Sequence, residues 1–144
     1  NVTIHDLYQL DQYPEIGKDD ILIGYSLGGR IALEIAQKTD FNFKKLYLLN
    51  AHPGLSSDKE KEIRKIWEDG VLQNLKKKTK EEFLKDWNKL PVFLFDEPLS
   101  NVDETRFQKS PELFNKFRLS NQINFLPLIL KHKDKIQYVI GTLD

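Results

Sequence analysis

The segment Gly24-Tyr25-Ser26-Leu27-Gly28 constrains this chain more than any other. Before it lies a short apolar run, Asp20-Ile21-Leu22-Ile23-Gly24-Tyr25, which reads as a strand buried on both faces. After it, Leu27 to Lys38 places Leu27, Ile31 and Ile35 on one stripe flanked by Ala32 and Ala36, as a helix against a core does. A Gly-x-Ser-x-Gly at a strand-to-helix junction is a strained turn that lifts the serine out at the carboxyl end of the strand. Glycine is expected on both sides of the serine, where a Cβ would clash. The amide of Leu27 then points from a helix N-terminus, where a developing negative charge is favoured. Neither Gly-x-x-x-x-Gly-Lys nor Gly-x-Gly-x-x-Gly is present, so a phosphate-binding turn has no supporting pattern.

The rest of the chain fits around that turn. Thr3 to Tyr13 has Ile4, Leu7, Tyr8 and Leu10 at helical spacing behind a Thr-x-x-Asp start, and Pro14 and Gly17 close it. Lys45-Leu46-Tyr47-Leu48-Leu49 reads as a second buried strand. Helix, strand, helix, strand within the first fifty residues predicts an α/β fold with a parallel sheet. Beyond Asn50 the pattern changes. Ser57–Trp67 and Thr79–Trp87 each open with a capping box (Ser57 with Glu60, Thr79 with Glu82). Helical stretches follow around Asp103–Phe117 and Asn121–Lys131, the last interrupted by Pro127. Ile136-Gln137-Tyr138-Val139-Ile140 is strand-like again. The expected organisation is a core segment over 1–50, a helical cap over 51–133 and a returning core strand over 134–144.

Composition narrows the function. The 144 residues suit one domain, and 22 basic residues balance 22 acidic ones. A nucleic-acid binder needs a basic excess to displace counterions, so that class is not expected. There is no Cys, hence no disulfide, thiolate metal site or Cys nucleophile. His5, His52 and His132 lie far apart and show no metal-ligand spacing. No apolar run reaches the ~18 residues of a membrane span, and no signal peptide opens the chain. A cytoplasmic domain acting on a small molecule is expected, with no metal and no cofactor. The sequence lacks Met and stops at Asp144 just after an apolar run, so both ends look like cuts in a longer protein.

Several residues can carry chemistry. Ser26 is the candidate nucleophile. The order for such a turn is Ser, then Asp or Glu, then His, with the acid just after a later strand. Asp144 fits that place and also fits a plain strand-end turn. The His should follow Asp144. His132 precedes the acid on a Lys-rich helix end and reads as a solvated surface residue, while His52 sits in the loop after the second strand. Arg30 stands one helical turn beyond Ser26, where the macrodipole disfavours a cation, so a substrate carboxylate would compensate. Only 4 of the 22 basic residues are Arg, and Arg suits bidentate carboxylate recognition. Arg64 and Arg118 lie on the cap and face either a pocket or solvent; Arg106 reads as surface. Trp67 and Trp87 read as core packing or as a pocket wall.

Four segments occur in a telling order: Gly24-Tyr25-Ser26-Leu27-Gly28-Gly29-Arg30, Ala51-His52-Pro53-Gly54-Leu55, Trp87-Asn88-Lys89-Leu90-Pro91-Val92-Phe93, and Phe117-Arg118-Leu119-Ser120-Asn121. Together they resemble the 2-succinyl-6-hydroxy-2,4-cyclohexadiene-1-carboxylate synthases of menaquinone biosynthesis, in the α/β-hydrolase superfamily. The resemblance implies the central part of an α/β-hydrolase fold and a lyase that removes pyruvate from a tricarboxylate substrate. It implies Ser26 and Asp144 as triad members, Leu27 as an oxyanion amide, and Arg30, Arg64 and Arg118 as carboxylate ligands. Tyr25 and Trp87 would line the pocket. A His-Gly-Phe type loop would lie upstream of Asn1 and the triad His downstream of Asp144. A hydrolase of anionic esters or thioesters and a non-catalytic binding relative are the alternatives. Oligomeric state is left open.

Overall fold

The computed structural model describes residues 2–6, 8, 12–93 and 97–141. They divide into two compact units, one of Asn1–Ser56 with Ile123–Asp144 and one of Ser57–Gln122.

In the first unit, strands β1 (Ile21–Tyr25), β2 (Lys45–Leu49) and β3 (Ile136–Val139) pair in parallel in the order β1-β2-β3. Parallel neighbours need a crossover rather than a hairpin. Helix α1 (Leu27–Lys38) supplies the first and packs on β1 and β2. Its buried residues, Gly29, Ile31, Ala32, Leu33, Ile35 and Ala36, are the stripe expected from spacing. Leu46, Leu48, Phe41, Phe43, Phe125 and Ile136 complete this core. Each fully buried Leu or Phe contributes about 1.5–3 kcal/mol. The α/β class expected from the alternating pattern is the one observed.

Three local expectations change. Burial of β1 on both faces does not hold among the described residues: Ile21, Ile23 and Tyr25 are 50%, 63% and 64% exposed. β1 is an outer strand of the three, and α1 covers only the face carrying Leu22 and Gly24. The helix expected over Thr3–Tyr13 is absent from residues 2–6 and from Gln12 and Tyr13. Ile4 is 89% exposed there, and a helix this short is marginal in water without a surface to pack on. Tyr13 instead lies against α1. Its hydroxyl donates to Glu34 and Lys38 Nζ sits 4.2 Å over its ring. Burial first, and the Glu34 carboxylate second, push the Tyr13 pKa up to about 12. Third, Pro127 does not interrupt a helix. It occupies the first turn of α5 (Leu126–Lys131), where its missing N–H leaves no intrahelical bond unmade.

The second unit holds α2 (Asp58–Lys77), α3 (Lys80–Trp87) and α4 (Glu104–Lys116), with 3-10 turns at Pro91–Phe93 and Leu119–Asn121. As a compact unit it is narrower than the 51–133 insertion expected, since α5 belongs with the sheet. Both capping boxes are present: Ser57 Oγ accepts the Glu60 N–H and Thr79 Oγ1 the Glu82 N–H, and each glutamate accepts the cap N–H in return. α2 runs ten residues past Trp67, through Gly70. An interior Gly costs about 1 kcal/mol against Ala. Burial of Val71 and Leu75 in a cluster with Phe83 and Phe107 offsets it. No described helix is long and apolar enough to cross a membrane.

Candidate active site

Ser26 sits at the junction of β1 and α1 with φ 47° and ψ −114°. Left-handed backbone at a non-glycine residue stores about 1–3 kcal/mol. Hydrogen bonds hold it there. The Ser26 N–H donates to the Leu49 carbonyl of β2 at 2.9 Å, and its carbonyl accepts from Gly29 and Arg30 at 3.1 and 3.2 Å. Ser is a preferred N-cap residue, yet the Ser26 side chain makes no cap hydrogen bond. The strained backbone turns the hydroxyl away from that task, and the residue is exposed. The first amides of α1, beginning with Leu27, lie beyond the reach of the helix's own carbonyls. An exposed hydroxyl beside unspent amides at a helix N-terminus suits a proton transfer or attack that builds an oxyanion.

Glycine on both sides of Ser26 is expected for clearance, but the structure assigns that need differently. A Cβ on Gly24 would come within 2.5–2.6 Å of Gly28 and Gly29 backbone atoms. One on Gly29 would lie 2.4 Å from Ala51 Cβ, whereas one on Gly28 would meet nothing within 4 Å. The crowded pair is therefore Gly24 and Gly29, because the turn folds α1 back onto β1 and the loop after β2. Gly28 faces open space.

Register aligns the strand ends. Tyr25 pairs with Leu49 and Leu49 with Val139, so the residues that follow them gather at one carboxyl edge, where α/β sheets place ligands. Asn50 ties this edge together and was not singled out by the sequence reading. Its N–H donates to the Val139 carbonyl, and its Oδ1 accepts the Gly141 N–H at 2.9 Å. Its φ is 47°, which Asn tolerates better than most residues, so an Asn directly after the apolar run of β2 was the signal the sequence offered. Asp144, the expected acid, lies outside the described residues. Tyr25, Leu27 and Arg30 are neighbours of Ser26 along the β1–α1 turn, Tyr25 64% exposed, Leu27 and Arg30 half-buried. His52 Nδ1 accepts the Gly54 N–H at 3.1 Å. His132 is not solvated: its ring stacks on Phe41 at 4.8 Å and its Nε2 is buried.

Arg64, Trp87 and Arg118 all belong to the second unit. Trp87 packs against the cluster around Phe83 at a ring separation of 5.4 Å and stands 6.4 Å from Trp67. The two tryptophans line an open groove of about 300 Å³ with Ile66, Val71 and Leu90, so packing and wall-building coincide there. Arg64 and Arg118 meet at a residue that spacing did not flag, Glu68. Its Oε1 accepts from Arg64 Nε at 3.0 Å and the Leu119 N–H at 2.8 Å. Its Oε2 accepts from Ser120 Oγ at 2.6 Å, the Ser120 N–H at 3.3 Å and Arg118 Nε at 3.3 Å. Arg118 Nη2 also donates to Asp69 Oδ1 at 2.7 Å and the Lys65 carbonyl at 3.0 Å. The i, i+4 spacing of Arg64 and Glu68 was the available clue.

Burial raises the Glu68 pKa, but hydrogen bonds from Ser120, Arg64, Leu119 and Arg118 outweigh it and leave the carboxyl below its ordinary 4.5. For Arg118, burial lowers the pKa, and Asp69 and Glu68 more than restore it, so the net shift is upward. A depressed carboxyl contributes stability that is complete above its unfolded value and lost as pH falls through its folded value. Thermal midpoints of the wild type should therefore fall below pH 4.5 by more than those of Glu68→Gln, which lacks this proton. Equal slopes for the two would remove Glu68 from the acid response.

No family model matches the chain. A Haemophilus influenzae protein provisionally named 2-succinyl-6-hydroxy-2,4-cyclohexadiene-1-carboxylate synthase is 32% identical over 69% of this chain and 49% of its own length. The Klebsiella pneumoniae protein of that name is 32% identical over 50% of this chain and 29% of its own length. Among solved structures, MenH from S. aureus matches with a TM-score of 0.67 and 26% identity, covering 88% of this chain and 51% of that one. The chain thus spans about half the length of the H. influenzae and S. aureus proteins it matches. In sequence and in fold, it belongs with the 2-succinyl-6-hydroxy-2,4-cyclohexadiene-1-carboxylate synthases of the α/β-hydrolase superfamily.

Proposed function

We propose that the complete protein is a lyase of menaquinone biosynthesis, working in the cytoplasm. It eliminates pyruvate from 2-succinyl-5-enolpyruvyl-6-hydroxy-3-cyclohexene-1-carboxylate to give 2-succinyl-6-hydroxy-2,4-cyclohexadiene-1-carboxylate. The observation that carries this reading is the Ser26 turn, with its left-handed backbone, its uncapped hydroxyl and the α1 amides beside it. The base removes the proton on the ring carbon next to the succinyl carbonyl. The electron pair moves onto that carbonyl oxygen, where the Leu27 amide and the α1 dipole stabilise it. As the carbonyl re-forms, the ring double bonds shift to the 2,4 positions and the bond to the enolpyruvyl oxygen breaks. The departing enolate takes up a proton to become pyruvate. No net oxidation or reduction occurs.

Ser26, paired with Asp144 and a His of the complete protein, is the proton acceptor. A serine alone is a weak base, which is why the pair is part of the reading. The substrate's three carboxylates call for planar, two-donor cations. Arg30 and Arg64 take that role, and Arg118, whose Nε and Nη2 are already bonded within its unit, adds Nη1 alone, with Tyr25 and Trp87 as pocket walls.

The test is product analysis with the complete protein. Pyruvate release matched by diene formation, without cleavage of carboxylic esters or thioesters, is expected. Ester or thioester cleavage without pyruvate would make it a hydrolase of anionic substrates. Substrate binding that survives Ser26→Ala, with no turnover by the wild type, would make it a non-catalytic relative.

A further inference from the structure

We infer that Glu68 is a positioning residue for Arg64, holding the plane of its guanidinium fixed as a two-donor fork for a substrate carboxylate. This rests on the carboxylate-binding role proposed for Arg64. Glu68 is only 1% exposed, although it lies on a helix whose other buried residues are Val71 and Leu75. A buried carboxylate is costly unless its lone pairs are filled, and five donors converge on these two oxygens. Four of the five come from Arg118, Leu119 and Ser120, so the carboxylate is anchored from outside its own helix. The fifth is Arg64.

The geometry at Arg64 is one-sided. Only its Nε is bonded to Glu68, and its guanidinium carbon lies 4.3 Å from the Trp67 ring centroid. Fixing Nε and one flat face sets the plane of the group. Its two Nη amino groups have no acceptor among the described residues, and the side chain is 37% exposed. Arg118 is the opposite case. Its side chain is 8% exposed, with Nε and Nη2 both bonded within the unit. The charges of Arg64, Arg118, Glu68 and Asp69 cancel, yet the acceptors are spent unevenly. Arg118 takes most of them, and the Arg64 fork is left to find its own. An Arg placed before a Glu at i, i+4 is also the weaker orientation for helix stabilisation, so a surface ion pair does not explain the arrangement. Two parallel N–H donors on a fixed plane match the two oxygens of a carboxylate.

A double-mutant cycle in the complete protein tests this, with kcat and KM for the proposed tricarboxylate substrate as readouts. Arg64→Ala should raise KM by about tenfold or more, and Glu68→Gln by about fivefold, with kcat changed by less than about twofold. In the Arg64→Ala background, Glu68→Gln should raise KM by no more than about twofold, because Asp69 and the Lys65 carbonyl still hold Arg118 and the rest of the effect passes through the missing guanidinium. If the two changes multiply independently, or if Glu68→Gln lowers kcat and leaves KM alone, Glu68 is a brace of the fold and the inference is overturned. If Arg64→Ala itself leaves KM unchanged, the carboxylate role of Arg64 falls, and positioning by Glu68 falls with it. Should Glu68→Gln not fold, Glu68→Asp keeps the charge, draws the oxygens back by one methylene and is read in the same cycle.

Discussion

Ser26→Ala in the complete protein is expected to lower kcat by about 10²–10⁴-fold, the range ascribed to a positioned acid or base, with KM little changed. The reasoning is local. Alanine and serine carry the same Cβ, so the φ of 47° is equally strained in both, and the Leu49 and Gly29 backbone bonds are untouched. The hydroxyl makes no cap bond that the substitution would break. What disappears is only the group proposed to take the proton. The thermal midpoint should therefore stay with that of the wild type, which separates a chemical loss from an unfolded sample. A kcat within about tenfold of wild type would move the base elsewhere.

The second large effect is on stability. Gly24→Ala and Gly29→Ala should each destabilise the protein by about 1–3 kcal/mol or more, the cost of forcing atoms into a filled space. At Gly24 the obstructing atoms are all backbone, at 2.5–2.6 Å, so no rotamer change relieves them. At Gly29 they are the Ala51 methyl at 2.4 Å and the Gly24 carbonyl oxygen at 2.9 Å. Gly28→Ala, one position away, meets nothing and replaces a helical glycine, so it should be neutral or stabilise by up to about 1 kcal/mol. Denaturant midpoints for the three variants rank them directly. A Gly28→Ala as damaging as Gly29→Ala would mean that Gly28 does not face open space as described.

The elements read correctly from sequence share one property: their causes lie within a few residues. α1 and β2 follow from apolar spacing, and the two capping boxes from a Ser or Thr three residues ahead of a Glu. The Ser26 turn was legible for the same reason, since strand, glycines and helix are contiguous. Misreadings arose where distant residues decide. α2 continues past Trp67 because Val71 and Leu75 find Phe83 and Phe107, a burial that no cap or breaker announces. Thr3 and Asp6 show a start signal, yet residues 2–6 form no helix. His132, at the end of a lysine-rich helix, looked solvated until the chain brought Phe41 against its ring.

The sequence by itself determined the α/β class, the strained serine turn, the helix starts and the kinship with the synthases, because periodicity and motif spacing act over single turns. Tertiary structure decided which glycines are indispensable, that Asn50 joins two strand ends, and that Arg64 and Arg118 share Glu68. Those facts depend on residues 22, 91 and some 50 positions apart in the chain meeting in space. A buried carboxylate survives only where enough donors converge, and that convergence is a property of the folded chain.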